Sequence, residues 1–64
     1  MTLDTASARV RAGFEEMPGM TLTMPQASRL FGLEPHLCQT VVEQLVVCSF
    51  LRRTPRGGYT HVVR

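Results

Sequence analysis

The sequence predicts an α+β fold of three helices and a small antiparallel β-sheet, the latter a short edge strand plus a C-terminal hairpin. Three observations carry this. Apolar residues recur at three- and four-residue steps in three separate stretches. Proline and glycine punctuate the boundaries between those stretches. The last third reads as two strand-like runs around a glycine-rich turn.

The first helix is expected over residues 2–17, where Leu3, Ala6, Val10, Phe14 and Met17 fall on one face. Met17-Pro18-Gly19-Met20 ends it, since proline disfavours helical geometry in the residue before it and glycine permits the reversal. Gly13, inside this helix, costs ~1 kcal/mol relative to alanine. Thr21-Leu22-Thr23 alternates polar and apolar and suits a short edge strand. Thr23 also caps the second helix: Pro25 sits in the first turn, and Gln26, three positions on, completes a capping box. That helix runs through Ala27 and Leu30 to Phe31 and stops at Gly32.

Glu34-Pro35 is a strong restart, because proline is tolerated in a first helical turn and an acid there complements the helix dipole. The third helix is expected over 35–48. Cys38, Val41, Val42, Leu45 and Val46 form its apolar face, leaving His36, Gln39, Thr40, Glu43 and Gln44 on the other. Leu37 fits either an extension of the core or an exposed apolar contact. Residues 50–54 and 59–63 then form a β-hairpin turned by Pro55-Arg56-Gly57-Gly58, with Leu22 offering a third strand.

A chain of 64 residues has room for one domain over 1–64, and a domain of this size withdraws only roughly 60% of its unfolded surface from water. A deep pocket is hard to build at that size, which favours a binding module over a catalyst. His36 and His61 stand apart from any nucleophile or paired carboxylate, so no catalytic residue is assigned and no enzyme is expected. Cys38 and Cys48 belong to no CxxC pair or Cys/His cluster. Both read as small hydrophobes in an apolar helical pattern, with a reducing cytoplasm implied and no metal. No cofactor and no small-molecule ligand is expected. No stretch approaches the roughly 20 apolar residues of a membrane span, and the N-terminus lacks the order of a secretory signal, so a cytoplasmic protein without a membrane partner is expected.

The net charge is +2, and all seven basic residues are arginine. The sign is uneven: Asp4, Glu15 and Glu16 lie early, whereas Arg52, Arg53, Arg56 and Arg64 crowd the last third. Guanidinium groups suit two-pronged contact with phosphate or with guanine edges.

The segment LTMPQASRLFGLEPHLCQTVVEQLVVCSFLRRTPRGGYTHV resembles the winged helix-turn-helix, most closely the DNA-binding part of IclR-type and MarR-type bacterial transcriptional regulators. The resemblance rests on Ala27 and Leu30 in the first motif helix, Gly32-Leu33 in the turn, Val42 and Leu45 in the second, and Phe50-Leu51 and Gly58-Tyr59 at either side of the wing. It implies binding of double-stranded DNA in transcriptional regulation, with helix 35–48 in the major groove and hairpin 50–63 as a wing on the phosphate backbone. Carried over by position, Pro35, His36, Gln39 and Thr40 point at DNA, with Glu43 a further candidate. Gln39 suits adenine's major-groove edge, and His36 a phosphate or guanine. Arg56 at the hairpin tip, Arg52, Arg53 and Arg29 are the backbone contacts, although successive strand residues face opposite ways and only one of Arg52 and Arg53 can share the DNA side. The sequence departs from the family at Thr40, where IclR-type regulators commonly have an arginine. It departs again at Ser49, where a glycine usually ends the helix in left-handed geometry. A homodimer would double a weak contact, and Leu3 with an exposed part of the Val10 and Phe14 stripe is its expected surface. The alternative is a protein-interaction adaptor within a larger assembly, using Leu37, Val47 and Cys48.

Overall fold

Residues 2–62 are described by the computed structural model. Thr2 caps α1 (Leu3–Glu16): its hydroxyl accepts the Thr5 N–H at 3.2 Å, and Asp4 sits at the positive end of the helix dipole. Ala6, Val10 and Phe14 are fully buried, but the ends of the expected stripe are not. Leu3 is exposed in the first turn, and Met17, which lies beyond the helix as its C-cap, is 60% exposed. A Met17–Met20 turn follows, closed by the Met20 N–H on the Met17 carbonyl at 2.9 Å. It leads into β1 (Thr21–Leu22).

The capping box forms at the start of α2 (Met24–Phe31). Gln26 N–H donates to the Thr23 hydroxyl, and Thr23 N–H donates to Gln26 Oε1 at 3.0 Å. Thr23 is therefore spent on the helix rather than on the strand. Gly32 ends α2 at φ 65°, and Leu33 N–H returns to the Ser28 carbonyl at 3.0 Å, the closure that a left-handed residue allows. Ser28 holds the turn a second time, its hydroxyl donating to the Leu33 carbonyl at 2.6 Å. With the Leu33 side chain buried, the reversal between α2 and α3 (Pro35–Val47) is fixed on both sides.

Cys38, Val41, Val42 and Leu45 bury the inner face of α3, with Val46 and Leu37 half-buried against the same core, which settles Leu37 as an extension of it. Cys48 is a correction to the expected pattern. It is the C-cap, beyond the last helical residue, and its thiol is exposed rather than packed. Ser49 adopts φ 63°, the only non-glycine residue among those described with positive φ. Its N–H reaches the Val46 carbonyl at 3.0 Å and Phe50 N–H reaches that of Leu45 at 2.9 Å. The helix thus ends in the geometry usually made by glycine, with serine in the strained place.

β2 (Leu51–Arg53) and β3 (Tyr59–His61) are each shorter than the runs expected from sequence. The expected second strand extended to Val63, which lies outside the described residues. The sheet order is β1-β3-β2, antiparallel throughout, with Leu51 opposite His61 and Leu22 opposite Tyr59. The third strand is where the sequence placed it. Thr54–Gly57 forms the hairpin turn, Gly57 N–H donating to the Thr54 carbonyl at 3.1 Å with Gly57 itself at φ 85°. Gly58 passes so close to β1 that a Cβ there would meet Thr21 Cγ2 at 2.7 Å.

One apolar cluster joins α1, α2, α3 and β2. Its tightest point is Gly13, where an added Cβ would lie 2.4 Å from the Phe31 ring; that opening lets Phe31 approach Phe14, with ring centroids 6.1 Å apart. Leu30, which the family resemblance set with Ala27 among mostly core positions, is the second correction. At 59% exposure it is not core, because Ala27 and Phe31 point inward from α2 and nothing covers the side one residue away. Val10 and Phe14, expected in part to serve a dimer surface, have no exposed area, since α1 packs them against α3 and α2. No helix among the described residues is long and apolar enough to cross a membrane.

Candidate nucleic-acid interface

The outward face of α3 carries His36, Gln39, Thr40, Glu43 and Gln44, all exposed, with Pro35 exposed at its start. Helical spacing brings them together: Gln39 Nε2 donates to Glu43 Oε1 at 3.3 Å, one turn on. Thr40 turns its hydroxyl back on the helix, donating to the His36 carbonyl at 3.1 Å. At the N-terminus Glu34 is the N-cap, its carboxylate accepting His36 N–H at 3.1 Å. The positive end of α3, where a phosphate would otherwise find free amides, is therefore filled by the chain's own carboxylate. With Glu34 and Glu43 on it and no arginine, this face attracts no phosphate by charge.

Positive charge lies off this face, on α2 and on the hairpin. Arg29, exposed on α2, lines a shallow groove with Met24, Pro25, Ser28 and Pro35, which puts it beside the first turn of α3. Arg52 and Arg53 are exposed on β2 and face opposite sides of the sheet, and Arg56 is exposed at the hairpin turn, two places after Thr54. Arg56 owes that position to Pro55 and Gly57, which shape the turn around it. Leu51, buried at the base of β2, ties the hairpin to α3. Arg29 and Pro35 thus come together, while the hairpin arginines form a separate group. Arg64 lies outside the described residues.

The two remaining arginines, to which the sequence assigned no role, are used internally. Arg9 Nη1 donates to the Phe31 carbonyl at 3.3 Å, satisfying the last turn of α2. The Arg11 guanidinium lies over the Phe50 ring, 5.2 Å from its centroid, and Phe50 stacks on His61 at 4.3 Å. This stack joins α1 to the base of the hairpin. His61, which sequence left isolated, has its Nδ1 buried there without a hydrogen-bond partner. The Gln39–Glu43 pair had a legible signal, since a four-residue spacing puts two side chains in reach. The Arg11–Phe50–His61 stack had none, being made by residues distant in sequence.

Among the described residues no three His, Cys, Asp or Glu side chains gather where they could hold a metal ion. Burial pushes the Cys38 thiol up from its ordinary range, which leaves it protonated and inert. No protein-family model matches the chain, and no curated protein and no solved structure matches it.

Proposed function

We propose that the chain is a winged helix-turn-helix module that binds double-stranded DNA and serves transcriptional regulation, with α3 in the major groove and the β2–β3 hairpin as the wing. One arrangement supports this most: a short capped helix, a turn fixed by Gly32 and Ser28, and a helix whose inner face is buried while its outer face is polar and bare, followed by a hairpin with three exposed arginines. The division of labour is unusual. Affinity comes from Arg29, Arg56 and one of Arg52 and Arg53 on phosphates, while Pro35, His36, Gln39, Thr40 and Glu43 supply contacts to base edges.

A second reading, an adaptor that binds another protein, is favoured by Val47, 83% exposed on α3, and by the acidic Glu34 and Glu43 on that helix. Titration of a labelled duplex at low and moderate salt separates the two. The DNA reading expects binding that weakens steeply with salt as counterions are displaced. Arg56→Ala lowers affinity for all sequences alike and reduces the salt slope by about 1, whereas Gln39→Ala changes preference among sequences. Absence of binding at low salt removes the DNA reading and leaves the adaptor.

A further inference from the structure

We infer that α3 selects base edges that offer a hydrogen-bond donor, adenine and cytosine on the strand it faces, and rejects guanine; the inference rests on the DNA-binding reading above. The helix Pro35–Val47 contains no lysine or arginine, so it lacks the two-pronged cationic donors that read guanine's paired acceptors, N7 and O6; His36, in the first turn, brings a single ring N–H to any one base edge. Beyond that first turn, Gln39, Thr40 and Glu43 present a run of acceptors. A carboxylate only accepts, so the 3.3 Å contact to Glu43 fixes the Gln39 amide with its nitrogen toward Glu43 and Oε1 turned away. The Thr40 hydrogen is committed to the His36 carbonyl, leaving that hydroxyl its lone pairs. Glu43 keeps lone pairs beyond the one that Gln39 uses.

In the major groove only adenine N6 and cytosine N4 carry donors. Gln39 can take adenine with both arms: Oε1 accepts from N6, and its second amide hydrogen, not used by Glu43, donates to N7. Glu43 accepts from a cytosine N4. Guanine on that strand would set two acceptors against a carboxylate that has no hydrogen to give, in a groove from which water has been displaced. A G·C pair still offers its cytosine amine, so the selection is of strand as well as of base pair. The rejecting group is Glu43, and the same charge that weakens general attraction to phosphate sharpens the choice of base.

Duplexes bound by the full chain at low salt are enriched from a randomised library and sequenced, for the natural protein and for Glu43→Gln and Glu43→Arg. Both substitutions fall on an exposed position one turn after Gln39 and leave the core untouched. Adenine and cytosine are expected at adjacent positions of one strand, with guanine disfavoured about tenfold. Glu43→Gln admits guanine by supplying an amide donor, and Glu43→Arg makes guanine the preferred base. A natural-protein motif with guanine in place of that cytosine on the adenine-bearing strand, binding with no base preference, or a motif identical in all three proteins overturns the inference and leaves DNA binding standing. Absence of binding at low salt overturns both.

Discussion

At Gly13 helix propensity and packing pull in opposite directions. Alanine is the better helix former by ~1 kcal/mol, but its Cβ would lie 2.4 Å from Phe31 Cε1 and 2.8 Å from Cζ. The ring cannot retreat freely, because Phe31 is buried and packs on Phe14. Overpacking of this kind costs about 1–3 kcal/mol, so Gly13→Ala is expected to lower the urea midpoint with an unchanged slope; a raised midpoint would show that the ring has room to move. Ser49 predicts the reverse. Held at φ 63° by the closure of α3, it carries strain that glycine lacks, and Ser49→Gly is expected to stabilise by about 1 kcal/mol. The cysteines differ as sharply. A thiol reagent at mildly alkaline pH should modify exposed Cys48 at once and buried Cys38 only on unfolding. Because the folded Cys38 thiol is raised, stability is full below the ordinary thiol range near ~8.5 and falls as pH climbs from there toward the folded value. In Cys38→Ser or Cys38→Ala that alkaline loss should shrink, whatever the change in overall stability.

Among the elements, α2 is the one whose limits depend most on two or three side chains. Thr23 and Gln26 satisfy each other's backbone N–H, so Thr23→Ala should cost about 1 kcal/mol. Hydrogen exchange should rise first in the initial turn of α2. The signals that were legible in the sequence are of this local kind: the Thr23 box, Gly32 and Pro35 each act within a few residues, and the structure has all three where expected. Strand ends were less legible because a strand is defined by what lies across from it. Phe50 and Val62 still share a hydrogen bond at 2.9 Å beyond the last paired residues, whereas Thr54 is taken by the turn. Leu30 was misread because periodicity gives the inward stripe of a helix but not how far its neighbours reach. For the candidate interface, the exposed positions of α3 were legible from the same periodicity. Its acids were legible too, Glu34 at the helix start and Glu43 four residues after Gln39; the contacts that tie Arg9 to Phe31 and Arg11 to Phe50 were not, because their partners lie far away in sequence.

Over the whole molecule, the separation of arginines from α3 makes salt dependence, on the proposed DNA-binding reading, a measure of how many copies bind. Arg9 and Arg11 are tied to Phe31 and Phe50, and Arg52 and Arg53 face opposite sides of the sheet. On that reading one copy would bring about three guanidinium groups to the backbone: Arg29, Arg56 and one of the β2 pair. Each phosphate neutralised contributes about −0.9 to the slope of log affinity against log salt. A single copy is then expected to give a slope near −3 and to lose about fortyfold in affinity between roughly 50 and 200 mM salt. Two copies binding as a linked pair on half-sites one helical turn apart would give a slope near −5.4 and a loss of nearly two-thousandfold over the same range. Such a pair cannot use Val10 and Phe14, which have no surface left. Exposed Leu30, beside Leu22 and Pro25 on a shallow groove, and exposed Leu3 are apolar positions to test first, with Met17 and Val47 exposed as well. If the steep slope is observed, Leu30→Glu or Leu3→Glu should return it to the single-copy value when the mutated position lies in the contact. A steep slope unchanged by either substitution would place the contact between copies on another surface, since two copies that bind independently each keep the single-copy slope.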